Sequence, residues 1–94
     1  MVYKVELSER AEKQLHKLDP PIARMILKWL KKNVDGSSDP RVHGKALQGN
    51  LSNYWRYRVG DHRIICSIQD DKLIVIVISI ENRRTIYDQR YGID

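Results

Sequence analysis

The block LIVIVISI, from Leu73 to Ile80, constrains the fold more than any other part of the sequence, because every residue in it except Ser79 is aliphatic. A helix needs roughly 20 residues to span a bilayer, and this block is far shorter. An unbroken run of β-branched residues is typical of a strand that is buried on both faces. We therefore expect a strand over about residues 72–80 in the centre of a sheet.

A β-hairpin is predicted directly before this strand. Two segments of alternating side chains, residues 54–59 and 62–69, flank a Gly-Asp turn at 60–61, and glycine in the first position favours a two-residue turn. That register places Arg58 opposite Arg63. The face predicted to be apolar carries Trp55, Tyr57, Val59, Ile64, Cys66 and Ile68. The face predicted to be polar carries Tyr54, Arg56, Arg58 and Arg63.

The N-terminal part predicts a strand followed by two helices. Residues 2–7 alternate between polar and apolar. Ser8 is suited to cap a helix that runs to about Leu18. The sequence Asp-Pro-Pro at 19–21 ends that helix and begins a second one, because proline is tolerated in the first turn of a helix. The second helix is expected to end near Asn33 and to bury Ile22, Met25, Ile26, Trp29 and Leu30.

The order of these elements predicts an α+β fold of the type β-α-α-β-β-β. A loop over residues 35–40, DGSSDP, separates the helical part from the strands. A chain of 94 residues supplies one modest core, so we expect a single domain over residues 1–94. In it, the helical hairpin packs on one face of a mostly antiparallel, twisted sheet.

Three arginines of the hairpin, Arg56, Arg58 and Arg63, form a candidate binding cluster. The chain has 17 Lys and Arg against 12 Asp and Glu, and every basic residue after Lys45 except Lys72 is arginine. The planar guanidinium group binds phosphate through two parallel hydrogen bonds. We expect no acidic residue at the facing strand positions, which favours a phosphate site. The alternative is a set of solvated arginines, paired with acids from elsewhere in the fold.

A second basic cluster follows the central strand and contains Arg83, Arg84 and Tyr87. If this segment folds back across the sheet, Arg83 and Tyr87 arrive beside Arg58 and Arg63. Cations for phosphates and an aromatic ring for base stacking are features with which proteins hold single-stranded RNA. The alternative is an exposed C-terminal segment without such a role.

Other classes of site find little support in the residues. The three histidines, His16, His43 and His62, are scattered, and Cys66 is the single cysteine, so we expect neither a metal site nor a cofactor. His43 is a remote candidate for acid/base chemistry, and His62 is expected at the surface or at a strand end. A lone cysteine and an N-terminus without a signal sequence favour a cytoplasmic protein without a membrane partner.

Two segments carry a resemblance to a known family. HGKALQGNLSNYWRYRVGDHRIICSI, residues 43–68, and ISIENRRTIY, residues 78–87, resemble the RelE/ParE superfamily of prokaryotic toxin-antitoxin pairs, and the RelE branch in particular. The resemblance implies a metal-independent endoribonuclease that enters the ribosomal A site, beside the 16S rRNA, and cuts mRNA. The mRNA 2′-hydroxyl attacks the neighbouring phosphate and leaves a 2′,3′-cyclic phosphate. The implied protein partner is a RelB-like antitoxin.

The same resemblance assigns roles to individual residues. It implies that Arg63 and Arg83 stabilise the pentavalent phosphorane and that Tyr87 stacks on or orients the nucleotide. Arg56 and Arg58 match basic positions of the first hairpin strand. The residues expected to bind RNA are Arg56, Arg58, Arg84 and Tyr54.

The general base is the position where the chain departs from the family. Lysines occupy the hairpin positions in the common RelE pattern, whereas this chain has Arg56 and Arg58, and arginine stays protonated. Some relatives have a glutamate and a histidine where this chain has Lys45 and Asn82. Lys45 is therefore a candidate base. The alternative is catalysis by electrostatic stabilisation, with the ribosome orienting the 2′-hydroxyl.

A ParE-like protein that binds DNA gyrase without catalysis is the alternative function. Both functions imply an antitoxin. With a turn at Asp70-Asp71, an apolar strip formed by Ile74, Ile76 and Ile78 falls on the same face as the arginines. Such a strip needs cover, either from residues 81–94 or from another chain, for which an amphipathic, acidic antitoxin helix is suited.

Overall fold

The computed structural model describes residues 1–51 and 53–82 as two helices packed on a five-stranded sheet. In chain order the elements are β1 (Lys4–Leu7), α1 (Glu9–Lys17), α2 (Pro20–Asn33), β2 (Lys45–Ala46), a 3₁₀ helix (Gly49–Leu51), β3 (Trp55–Val59), β4 (His62–Gln69) and β5 (Ile74–Asn82). The strand order is β1-β5-β4-β3-β2, with β1 parallel to β5 and the other pairs antiparallel. The α+β class and the inner position of β5 are confirmed. The strand β2 was not predicted, because two residues show no alternation.

The core lies between the helix pair and one face of the sheet. Ile26 and Leu30 of α2 are buried with Tyr57, Ile64 and Val77 of the sheet, and each such side chain contributes about 1.5–3 kcal/mol relative to an exposed position. The prediction that Met25 is buried is wrong, because this side chain is 43% exposed. It precedes Ile26 by one position, about 100° around the helix, and the sheet covers α2 on one side.

The hairpin between β3 and β4 has the predicted register. Gly60 has φ +60 in the turn, and Arg58 pairs with Arg63. The prediction of a two-residue turn at Asp70-Asp71 is wrong, because Gln69 pairs with Ile74 and four residues form that turn. Strand β1 holds this wider turn, since the Lys4 N–H donates to the Leu73 carbonyl at 2.9 Å. The turn is two residues longer than predicted, and side chains on a strand alternate with period two. The residues at this end of β5 therefore stay on their predicted faces.

A β-bulge in β5 changes the faces at its other end. Ile65 pairs with Ser79 and Cys66 pairs with Val77, so that Ile78 is an extra residue in the ladder. After the bulge the alternation of β5 is shifted by one residue. Ile80 therefore lies in the core, and Glu81 lies on the face away from the helices.

The start of α1 satisfies the backbone groups that this bulge leaves unpaired. The Ser8 hydroxyl donates to the Ile78 carbonyl at 2.9 Å and accepts the Ala11 N–H at 3.0 Å, which confirms Ser8 as the helix cap. The Gln14 side-chain oxygen accepts the Ile80 N–H at 2.6 Å.

No helix within residues 1–51 and 53–82 is both long and apolar enough to cross a membrane.

Candidate functional site

The open face, defined as the face of the sheet opposite the helices, carries two pairs of cations. Lys45 of β2 pairs with Arg56 of β3, and Arg58 of β3 pairs with Arg63 of β4. Successive positions on one face of a strand are about 6.6 Å apart, so the four charges form one compact patch. Lys45 and Arg58 are exposed, whereas Arg56 and Arg63 are partly buried. We call these four residues the basic patch.

Tyr54 lies at the edge of the basic patch. It directly precedes β3 and is partly buried, and its carbonyl accepts the Leu47 N–H at 3.1 Å. The alternation of β3 puts its side chain on the same side as Arg56. Arg83, Arg84 and Tyr87, the other predicted site residues, lie outside the residues that the structure describes.

Arg63 is the member of the basic patch with an unmet hydrogen-bond donor. Its Nε is buried and makes no hydrogen bond within the described part of the chain. A buried donor without an acceptor costs about 1–3 kcal/mol. An anion placed over the open face would relieve the repulsion between Arg58 and Arg63.

Glu81 is the functional candidate that the sequence did not predict. The expectation that no acidic residue faces the arginines is wrong, because Glu81 of β5 pairs with Arg63 of β4. Its carboxylate Oε2 accepts a hydrogen bond from the Ser79 hydroxyl at 3.0 Å. If the alternation of Val75 and Val77 continued along β5, Ser79 and Glu81 would lie in the core. Two polar residues at expected core positions are the sequence signal for a bulge.

A loop that precedes β2 delivers Lys45 to the open face. The Tyr57 hydroxyl donates to the Pro40 carbonyl at 2.6 Å, and the Trp55 indole Nε1 donates to the His43 carbonyl at 2.8 Å. Burial of the Tyr57 phenol raises its pKa above the ordinary value, so the hydroxyl keeps its proton and remains a donor. These two bonds fix the loop just before Lys45.

Gly44 is the residue that allows this loop to meet β3. It has φ +86, and a Cβ at this position would collide with the Arg56 carbonyl and with the Trp55 indole. A side chain is therefore excluded by both conformation and space. The residue next to it, Lys45, depends on that close approach for its pairing with Arg56.

Asp70, in the turn before β5, ties the same loop to β1. The Arg41 guanidinium donates to both carboxylate oxygens of Asp70, at 2.9 and 3.0 Å, and the Tyr3 hydroxyl donates to Oδ1 at 2.6 Å. The hydrogen bonds from Arg41 and then from Tyr3 lower the pKa of Asp70. The same bond to Asp70 raises the pKa of Tyr3.

The histidines do not join the basic patch. The exposed His43 turns its ring toward α2, edge-on to Trp29 with the ring centroids 5.6 Å apart. His62 is the first residue of β4, which confirms the predicted strand end, and it is 5% exposed, which excludes the surface alternative. Its strand position pairs with Val59 and Asn82 and faces the helices. Within residues 1–51 and 53–82, no three His, Cys, Asp or Glu side chains are grouped closely enough to hold a metal ion.

An apolar strip lies beside the basic patch, as the sequence predicted. Ile74 and Ile76 are partly buried and lie on the open face, opposite Gln69 and Ser67 of β4. Ile78 is the extra residue of the bulge, at the end of this strip. The predicted cover by residues 81–94 falls largely outside the described residues.

Several toxins are similar to this chain in sequence and in fold. The chain is 30% identical over 87 residues to Toxin RelG of Mycobacterium tuberculosis, with 93% of this chain and 98% of that protein covered. It is 30% identical over 84 residues to the mRNA interferase toxin RelE of Escherichia coli K12, with 88% and 85% covered. The RelBE2 toxin-antitoxin complex of Mycobacterium tuberculosis contains a chain with a TM-score of 0.79 and 27% identity, with 88% of this chain and 94% of that chain covered.

A second solved structure and a family model agree with these relatives. The isolated RelE toxin of Escherichia coli has a TM-score of 0.70 at 23% identity, with 97% of both chains covered, which shows the same fold. The model of the ParE toxin of type II toxin-antitoxin systems matches residues 5–87. The chain therefore belongs to the ParE toxin family and is a type II toxin of the RelE/ParE superfamily.

Proposed function

We propose that the chain, as one toxin domain over residues 1–94, is a ribosome-dependent endoribonuclease that cuts mRNA in the A site. The observation that carries this proposal is the basic patch, where four cations lie on a sheet face that the helices leave uncovered. RNA offers the matching charge in its phosphates. Relatives named mRNA interferase RelE, at 30% identity, favour RNA over other polyanions.

The proposed reaction is attack of the mRNA 2′-hydroxyl on the neighbouring phosphate. Arg63, which lies opposite Arg58 on the open face, binds a non-bridging oxygen and stabilises the charge that develops on the phosphorane. Arg58 opposite it neutralises the same group. Arginines that hold the phosphate supply charge stabilisation without a metal ion.

The other predicted residues complete the proposed site. Arg83 adds a second cation at the phosphorane, and Tyr87 stacks on the nucleotide. Lys45 is a candidate base or a further phosphate ligand. The residues proposed to hold the RNA strand, and the 16S rRNA around it, are Arg56, Arg58, Arg84 and Tyr54.

Primer extension on mRNA from a purified translation reaction tests this function. We expect cuts in phase with the codons, with a 2′,3′-cyclic phosphate on the upstream fragment. Arg63→Ala should lower the cleavage rate about 10²–10³-fold, the usual effect of removing one donor to a developing charge. Arg24→Ala, an exposed position on α2, is the matched control and should cut like the wild type. Absence of phased cuts by the wild type would refute the proposal.

We also propose a RelB-like antitoxin as the partner that covers the open face. Solved relatives include toxin-antitoxin complexes named RelBE. The apolar strip and the basic patch are adjacent, so an amphipathic, acidic segment complements both. Co-expression with the product of the neighbouring gene should yield a stable complex, and Ile76→Asp should weaken it. A complex unaffected by Ile76→Asp and by Arg58→Ala would place the antitoxin elsewhere.

Inhibition of DNA gyrase is the second candidate function, and the match to the ParE family model favours it. A supercoiling assay with purified gyrase separates the two functions. Inhibition of supercoiling, with translation and mRNA left intact, would establish the second function in place of the first.

A further inference from the structure

We infer that Glu81 is the general base that removes the proton from the attacking 2′-hydroxyl, an inference that rests on the proposed ribonuclease function. The pairing of Glu81 with Arg63 across β4 and β5 carries it. Side chains that are directly opposite on one face have Cβ atoms about 4.5–5.5 Å apart. A phosphate bound by Arg63 therefore lies within one side-chain length of the Glu81 carboxylate.

The chemistry of the open face requires a proton acceptor that the arginines of the basic patch do not supply. Arginine has no acceptor atom and stays protonated, which excludes three of the four members of the patch. Glu81 brings a carboxylate to the same face, and it is partly buried rather than fully solvated. A carboxylate is an efficient base once it is positioned within hydrogen-bond reach of the hydroxyl.

The surroundings of Glu81 hold it in one orientation. The Ser79 hydroxyl donates to Oε2 at 3.0 Å, and the second oxygen, Oε1, is assigned to the substrate. The bulge at Ile78 sets the strand phase that puts Glu81 on the open face. Ser8 and Gln14 of the helical layer bind the backbone at this bulge. The position of Glu81 on the open face therefore does not depend on the substrate.

The proposed step moves one proton to Glu81 and exchanges one phosphorus–oxygen bond for another. Oε1 of Glu81 takes the proton of the 2′-hydroxyl while the 2′-oxygen forms a bond to phosphorus. The bond between phosphorus and the 5′-oxygen breaks, and the leaving 5′-oxygen takes a proton from solvent water. The products are a 2′,3′-cyclic phosphate and a 5′-hydroxyl, and Glu81 returns its proton to solvent. Arg63 stays protonated throughout.

The test uses single-turnover cleavage on programmed ribosomes over a range of concentrations of the full-length toxin. Glu81→Gln keeps the acceptor for Ser79 but is no base, so we expect the maximal rate to fall about 10²–10⁴-fold. The toxin concentration that gives half the maximal rate should change less than threefold. Glu81→Asp keeps a carboxylate and should retain more activity than Glu81→Gln. Glu6→Gln, an exposed acid on the open face of β1, is the matched control and should behave like the wild type.

A substrate with sulfur in place of the 5′-oxygen tests whether Glu81 acts as the base at the 2′-hydroxyl or as an acid that protonates the leaving 5′-oxygen. Sulfur leaves without protonation, so the Glu81→Gln defect should persist on this substrate if Glu81 is the base. A defect that disappears on this substrate would overturn the inference.

A rival interpretation makes Glu81 a simple counter-ion of Arg63. Removing a counter-ion adds net positive charge at the phosphate site, so Glu81→Gln would then cut as fast as the wild type or faster. That result, with an active wild type, overturns this inference and leaves the proposed function in place. A wild type that makes no cuts at all refutes the proposed function itself.

Discussion

Arg58 and Arg63 lie directly opposite each other on the open face of the β3–β4 hairpin. Cross-strand neighbours normally combine apolar or oppositely charged side chains, because like charges at this position destabilise the sheet. The pair therefore places a local cost in the unbound protein that an anion between the two guanidinium groups would remove. Stability and the proposed function make opposite demands on these two residues.

Replacement of Arg58 by threonine should separate those demands. Threonine favours strands and ends the repulsion, so the free energy of unfolding should rise by a few tenths to about 1 kcal/mol, while RNA cleavage falls. Urea unfolding at low ionic strength measures the change. Because salt screens exposed charges, the gain should shrink at 1 M salt.

The control for Arg58→Thr is Lys4→Thr, which makes the same charge change on β1 opposite Ile74. It should give no such gain. Equal stabilisation by both substitutions would mean that net charge, rather than the Arg58–Arg63 pair, limits stability.

Ser8→Ala should destabilise the protein more than the loss of an ordinary helix cap. The substitution removes the acceptor for the Ala11 N–H and the donor to the Ile78 carbonyl, with an expected total of about 1–3 kcal/mol. Hydrogen exchange of the Ile80 amide should also accelerate, because it lies beside the loosened bulge. Ser8→Thr keeps the hydroxyl and should stay near the wild type. If the exchange rate of the Ile80 amide were unchanged in Ser8→Ala, the Ser8 side chain would not stabilise the bulge.

Asp70 should contribute to the loss of stability in acid. Its hydrogen bonds from Arg41 and Tyr3 lower its pKa in the folded state, while an unfolded Asp titrates near pH 3.9. The contribution is therefore present above about pH 4 and is lost as the pH falls through the folded pKa. As the pH falls from 6 to 2, the stability of Asp70→Asn should therefore decline less than that of the wild type. Thermal unfolding of both proteins over this pH range measures the decline.

Asp71→Asn is the matched control for this pH dependence, because it removes the neighbouring carboxylate of the same turn. Its stability should keep the acid-dependent decline of the wild type. An identical decline in Asp70→Asn would show that the bonds from Arg41 and Tyr3 do not persist in solution.

Cys66 should be inert in the folded protein. It is fully buried, and this burial raises the pKa of its thiol to about 12, whereas the thiolate is the reactive form. At pH 8 a disulfide reagent should label it only through opening of the sheet, and should label it promptly in denaturant. When opening and closing are fast relative to labelling, Ser8→Ala should speed labelling by about tenfold for each 1.4 kcal/mol of stability lost. Rapid labelling of the native wild type would show that the core opens locally around β4.

The alternation of the hairpin strands was enough to predict their register and to place Arg56, Arg58 and Arg63 on one face, whereas the pairing of Lys45 with Arg56 was not predicted. Side chains on a strand alternate with period two, and a Gly-Asp turn allows one pairing. The Ser8 cap and the end of α2 at Asn33 are equally local features, and the structure confirms both. The arginine side chains favoured a phosphate ligand, and the resemblance implied that this phosphate belongs to mRNA.

Tertiary structure alone decided that Glu81 of β5 faces the arginines. The sequence determined that β5 is an inner strand, because its apolar side chains need cover on both faces. The bulge at Ile78 depends on hydrogen bonds from Ser8 and Gln14, more than 60 positions away in the chain. The position of Glu81 opposite Arg63 follows from that bulge, and a local pattern carries no information on how distant backbone groups are satisfied.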